Sequence, residues 1–246
     1  MNLDTEARNY YLGGFFEAGG SMTFRITKRQ KKTSVHVSAH PILTYTDNSH
    51  ARMEQLQQAF GGTLPPVRGG EEWMWVLFGK KVCPLVGALA SYAPSRSGII
   101  NAYNLWEQSG IQQRLVIAKN YIGYEKDFDG LTKEDYLDLA GKFPFIAGVL
   151  DSRGRFVIED FLERIHINSI NRPLLQALRC KWGGSLFPVM EKGEKRTVEG
   201  KMVVIKHEAL RLTLSGAGAL ELSKAVSPYL VLRQREAFNF LAGEMC

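Results

Sequence analysis

Tyr10-Tyr11-Leu12-Gly13-Gly14-Phe15-Phe16-Glu17-Ala18-Gly19-Gly20 reads as the end of a helix, and it breaks two rules there. Gly13 and Gly14 sit inside the apolar run, where each glycine costs about 1 kcal/mol relative to alanine. Glu17 falls in the last turn, where the helix dipole disfavours a negative charge. Gly13 is four residues before Glu17 and Gly14 is three before it, so the three share one helix face. That face has no bulk and ends in a carboxylate. It suits a second backbone approaching closely, with the acid at the foot of the contact.

The same construction recurs in Pro144-Phe145-Ile146-Ala147-Gly148-Val149-Leu150-Asp151-Ser152-Arg153-Gly154. Gly14, Glu17 and Gly20 map onto Gly148, Asp151 and Gly154 at one offset of 134 residues (17 to 151). Pro144 suits the first turn of this second helix, where its missing donor does no harm.

Around each motif the chain alternates with period two. Met22, Phe24 and Ile26 oppose Thr23, Arg25 and Thr27, and Val35, Val37 and Ala39 oppose Ser34, His36, Ser38 and His40. Between them lies a basic turn, Lys28-Arg29-Gln30-Lys31-Lys32. After Gly154, Phe156 and Ile158 alternate with Arg155 and Glu159, and Ile165 and Ile167 with Arg164 and His166. Helices are expected over 4–18, 50–60, 81–92, 98–118 and 230–243, with strands over 63–68 and 72–79. Leu175-Gln176-Ala177-Leu178 leading to Gly183-Gly184 echoes Leu56-Gln57-Gln58-Ala59 leading to Gly61-Gly62. Each half reads as helix, hairpin, helix, hairpin, helix, which makes an α+β fold with internal pseudo-two-fold symmetry. The expected divisions are 1–118 and 144–246, joined by a Gly-, Asp- and Lys-rich connector at 119–143.

The paired motifs resemble the signature motifs of single-chain LAGLIDADG homing endonucleases, and the resemblance covers nearly the whole chain. It implies αββαββα halves whose four-stranded antiparallel sheets form a saddle over DNA, with the two motif helices paired at the centre. It also implies that Glu17 and Asp151 are the catalytic acids, with the Phe16 and Leu150 carbonyls beside the metal. Arg233 stands where the family places a basic catalytic residue, whereas Pro94-Ser95-Arg96-Ser97 offers none at the matching place. Gly19 and Arg153 replace an acid often found two residues further on. Two facing carboxylates repel unless a proton or cation intervenes. An all-oxygen pocket suits Mg²⁺, or another divalent ion such as Mn²⁺ or Ca²⁺. The implied activity is a metal-dependent double-strand break with short 3′ overhangs at a long, non-palindromic site. The alternative on the same fold is an intron-RNA maturase or a non-cleaving DNA-binding regulator.

A two-stranded ribbon fits the major groove of double-stranded DNA and can place alternate side chains on base edges. Base-reading candidates are Thr23, Arg25, Thr27, Gln30, Ser34, His36, Ser38 and His40, with Arg155, Glu159, Arg164 and His166 in the second half. Lys28, Arg29, Lys31, Lys32, Lys192, Lys195 and Arg196 are expected on phosphates. The net charge of +6 is consistent with a polyanionic partner. Three cysteines without metal spacing point to a reducing compartment and buried thiols. No apolar run is long enough to span a membrane. A monomeric intracellular protein is expected, in an organelle or a prokaryotic cytoplasm. The histidines have no metal-ligand spacing, and no glycine-rich phosphate loop or Ser/His/Asp constellation stands out.

Overall fold

The computed structural model describes residues 3–31, 34–67, 72–123, 126–198 and 201–243. The chain is α+β and packs as two compact units. One comprises Gly20–Asp129 with the residues up to Thr5; the other combines Glu6–Gly19 with Gly130–Cys246. The first motif helix, α1 (Thr5–Ala18), thus falls with the second unit from Glu6 onward.

In the first unit β1 (Ser21–Lys31), β2 (Ser34–Asp47) and β3 (Trp73–Phe78) form an antiparallel sheet. Period-two burial holds where expected: Met22 and Phe24 are buried, while Arg25 is exposed. Between β2 and β3 lies α2 (His50–Phe60), capped by Ser49. Three short helices follow, α3 (Val82–Val86), α4 (Ser97–Gln108) and α5 (Ile111–Tyr121). The Tyr103 hydroxyl of α4 donates to the carbonyls of Thr23 and Ile42, and its ring meets Phe24 edge-on. Trp106 and Trp75 are likewise core residues, with indole N–H groups on the carbonyls of Ala39 and Gly61.

Several expected elements are interrupted. The helix expected over 98–118 is two helices, because Ser109 and Gly110 are extended. The one expected over 81–92 shortens to α3, which ends at Gly87, followed by a 3-10 turn. The strand expected over 63–68 is reduced to isolated bridges from Thr63 to Val76 and from Pro66 to Trp73. Pro65 and Pro66 carry no N–H for a ladder. Among the described residues this sheet thus has three strands rather than the expected four.

In the second unit α6 (Glu134–Leu137) precedes the second motif helix, α7 (Phe143–Arg153). Next come β4 (Gly154–Glu159), β5 (Leu162–Ser169), α8 (Arg172–Trp182) and β6 (Ser185–Met190). A separate hairpin, β7 (Lys195–Val198) and β8 (Lys201–Val204), leads to β9 (Ala209–Ser215). The four-stranded antiparallel sheet runs β4-β5-β9-β6. The chain continues through α9 (Ala217–Val226) to α10 (Gln234–Ala242). Cys83 is buried, but Cys180 is exposed, contrary to the expectation of buried thiols.

α1 and α7 meet as the glycines imply. A methyl group on Gly148 would collide with the Tyr11 carbonyl oxygen and come within 2.7 Å of the Phe15 nitrogen. One on Gly14 would strike the Phe145 carbonyl. Every residue from Tyr11 to Ala18 and from Phe145 to Ser152 is buried. Helices apolar on all sides belong in an interior, and only glycine permits backbones this close.

Candidate functional site

Glu17 and Asp151 are both wholly inaccessible to solvent, at the ends of the paired helices. Each carboxylate is occupied by donors of the chain itself. Asp151 Oδ2 accepts from the Tyr11 hydroxyl at 2.8 Å and from the amides of Val231 and Leu232 at 2.6 and 3.0 Å. Its Oδ1 accepts from the Arg233 amide at 2.9 Å. Those three amides lie just before α10, which explains why that helix starts at Gln234 and not near 230. The carboxylate thus anchors the segment 231–233 that leads into the helix. Burial pushes the Asp151 carboxyl up to about 6, opposed by the amides of Leu232 and Val231, the Tyr11 hydroxyl and the Arg233 charge.

Glu17 is held by a different set. Its Oε2 accepts from the Tyr136 hydroxyl at 3.0 Å and from Asn171 Nδ2 at 2.9 Å. The same Asn171 amide reaches the Tyr136 oxygen, while Asn171 Oδ1 caps α8 by accepting from the Leu174 amide. This is a closed buried network, which fixes side chains rather than presenting them.

The other members of the expected metal centre are also engaged. Arg233 was expected at a reacting phosphate. It turns inward, its Nε donating to the Leu150 carbonyl at 3.1 Å and its Nη1 pairing with both Glu236 oxygens. The Leu150 carbonyl, expected to face a metal, thus accepts from a guanidinium. Phe16 is fully buried within α1. Beyond the acids, the seam ends in Gly19, Ser152 and Arg153. A side chain on Gly19 would run into Ser152 Oγ and approach the Arg153 Nε within 3.0 Å. A divalent cation needs carboxylate lone pairs that its oxygen ligands can turn toward it. Both Asp151 oxygens and Glu17 Oε2 already accept from the chain, so a divalent cation such as the Mg²⁺ expected from the motif would have to share or displace these donors. Among the described residues, no group of three His, Cys, Asp or Glu side chains converges as ligands.

The DNA-contact candidates lie on the ribbons of both units. In the first, the register places Arg25 opposite His40, Thr27 opposite Ser38 and Arg29 opposite His36 on one face. Thr27 and Ser38 share a hydrogen bond of 2.8 Å. Arg25, Arg29 and His36 are exposed. Gln30 and Lys28 pair with Val35 and Val37 on the opposite face, so Gln30 leaves the base-reading set. Thr23 accepts from the Gly123 amide, and His40 packs on Phe78 and Trp106, which commits both to the fold. Burial, then the charges of Arg114 and Arg29, lower the His40 pKa. Lys32 lies outside the described residues; Lys31, Ser34 and Arg196 hold strand positions only.

In the second unit Arg155, Glu159, Arg164 and His166 share one face of the β4–β5 ribbon. They form a linked set. Glu159 accepts from Arg164 at 3.0 Å and lies 3.4 Å from His166 Nε2, and His166 Nδ1 lies 2.9 Å from Thr213 Oγ1. Burial acts to raise the Glu159 pKa, but His166 and Arg164 outweigh it and hold it below the usual value. Arg155 stays exposed beside them, as do Lys192 and Lys195 near the β7–β8 hairpin.

Sequence reasoning missed Tyr11, Tyr136 and Asn171. Only Asn171 carried a signal, as a helix cap ahead of Arg172-Pro173.

No protein-family model matches the chain, and no curated protein matches it. Solved structures do. The LAGLIDADG homing endonuclease I-SmaMI bound to cleaved DNA matches with a TM-score of 0.56 at 14% identity, covering 95% of this chain and 87% of that one. I-SmaMI bound to an uncleaved DNA target in the presence of calcium ions matches with a TM-score of 0.55 at 12% identity, over 95% and 89% of the two chains. I-GzeII in complex with its DNA target matches at 0.53 and 12%, over 94% and 88%. The chain has the fold of the LAGLIDADG homing endonucleases.

Proposed function

We propose that the chain is a sequence-specific double-stranded DNA-binding protein that holds its target without cutting it. One observation carries the reading. On a fold that I-SmaMI and I-GzeII share and hold DNA with, Asp151 accepts from four donors of its own chain and Glu17 from two. Each acid fixes a neighbouring segment. The cationic ribbon faces supply the phosphate and base contacts, with Arg25, Arg29 and His36 on one and Arg155 on the other. Because the ribbons differ in length and residues, the recognised site is non-palindromic.

A second reading keeps the nuclease, a Mg²⁺-dependent enzyme of intron homing that leaves short 3′ overhangs. It is favoured by the neighbour that holds cleaved DNA. It needs Glu17 and Asp151 to exchange donors of the chain for cations when DNA binds. One experiment separates the two. A duplex recovered by selection from a random pool is cloned into supercoiled plasmid and incubated with the protein in Mg²⁺, Mn²⁺ or EDTA. The expected result is tight, salt-sensitive binding that is equal in all three, with the plasmid intact. The slope of log K against log salt should fall by about 1 in Arg29→Gln. Linear product that disappears in Glu17→Gln or Asp151→Asn would overturn the non-cutting reading.

A further inference from the structure

β4 and β5 are joined by two residues, Asp160 and Phe161, since Glu159 pairs directly with Leu162. Both have left-handed backbones, with φ of 52° and 60°. This is the two-residue hairpin turn that Asn-Gly or Asp-Gly fills without strain. A phenylalanine there is a genuine outlier, because its Cβ crowds the carbonyl that follows. The ring gains nothing from the fold in return, for Phe161 is 99% exposed. Leu162 beside it is 47% exposed. An exposed ring alone needs no explanation, but a strained backbone that holds it at the tip of a ribbon points to a role outside the chain.

The ribbon behind the tip indicates what. Its polar face carries exposed Arg155, which would face bases in a major groove, beside the linked set of Glu159, Arg164 and His166. In that groove base pairs present donors and acceptors everywhere except at one apolar group, the C5-methyl of thymine. We propose that Phe161 is a specificity-determining residue that packs against thymine methyl groups at the outer end of the half-site read by this ribbon. The inference rests on the DNA-binding reading and sharpens it. Uracil lacks that methyl group, so the tip also favours DNA over RNA.

The test uses the full chain and the duplex it selects from a random pool. Each thymine of the selected site is replaced in turn by deoxyuridine, and affinity is measured for the parent, Phe161→Gly and Phe161→Asn. The parent should lose about fourfold at one or two adjacent positions, the worth of one buried methyl group. Both variants should bind the thymine duplex correspondingly less well and be indifferent to the exchange. Phe161→Gly should also raise Tm by about 2–4 °C, because glycine removes the strain. Opposite signs in stability and affinity separate a contact residue from a structural one. A parent indifferent to deoxyuridine at every position, or variants that bind as tightly as the parent, would overturn the proposal. A parent that selects no duplex overturns the DNA-binding reading itself, and the proposal with it.

Discussion

Replacing Asp151 by alanine separates a structural acid from a metal ligand by the sign of its effect on stability. Four donors converge on this carboxylate: the Tyr11 hydroxyl and the amides of Val231, Leu232 and Arg233. A buried donor left without an acceptor costs about 1–3 kcal/mol, and water entering the vacated space recovers part of that. Deleting the charge returns something too. Burial lifts the carboxyl from 3.8 to about 6, which corresponds to an ionisation penalty on the order of 3 kcal/mol at neutral pH. Stranding buried donors costs more than the relief of that penalty returns, and the net loss is about 3–5 kcal/mol. Against a total stability of about 5–15 kcal/mol this is severe. Urea unfolding at pH 7.5, followed by circular dichroism, should show the midpoint falling by roughly 1–2 M. Two acids poised for an absent cation would behave oppositely, because removing one of two facing charges relieves repulsion. An alanine variant as stable as the parent, or more stable, would refute the assignment of Asp151 as an internal anchor.

Two further expectations come from the same pair of helices. The folded-state pKa of Asp151 lies above its unfolded value, so folding takes up a proton between about 4 and 6. The stability this contributes is fully present below about pH 4 and is lost as pH rises through about 6. The urea midpoint of the parent should therefore gain on that of Asp151→Ala as pH falls from 7 to 4.5, and a constant gap would contradict the burial. Gly148→Ala should lose about 3 kcal/mol or more, because the new methyl group meets the Tyr11 and Phe15 backbone, which cannot rotate away. A neutral result in thermal melts would mean that the helices do not approach so closely.

Much of the architecture was legible because it is written in local periodicity. Alternation at 21–27 fixed which face of β1 is buried, and the small residues ahead of each acid marked the closest approach of two backbones. Where local signals compete, the reading failed. Apolar pattern carried the expected helix through Ser109-Gly110, although glycine is a poor helix former. Pattern also favoured a strand through Pro65-Pro66, which lack the donors a ladder needs. Gln30 was placed by the basic turn around it, when its register puts it across from Val35.

The acids show a different limit. Spacing located Glu17 and Asp151 at the helix ends, but a carboxylate's role depends on what its lone pairs face. The partners of Glu17 lie more than a hundred residues away, at Tyr136 and Asn171. Those of Asp151 include three backbone amides, which leave no mark in any sequence. The informative signal was the departure two residues further along each motif. There the seam carries Gly19 and Arg153, where an acid is more usual. A guanidinium at the mouth of the seam repels a divalent cation and attracts a phosphate oxygen. Under the proposed reading, charge at that mouth suits the holding of a nucleic-acid backbone. The inward acids and the outward arginine, read from independent features, lead to the same chemistry.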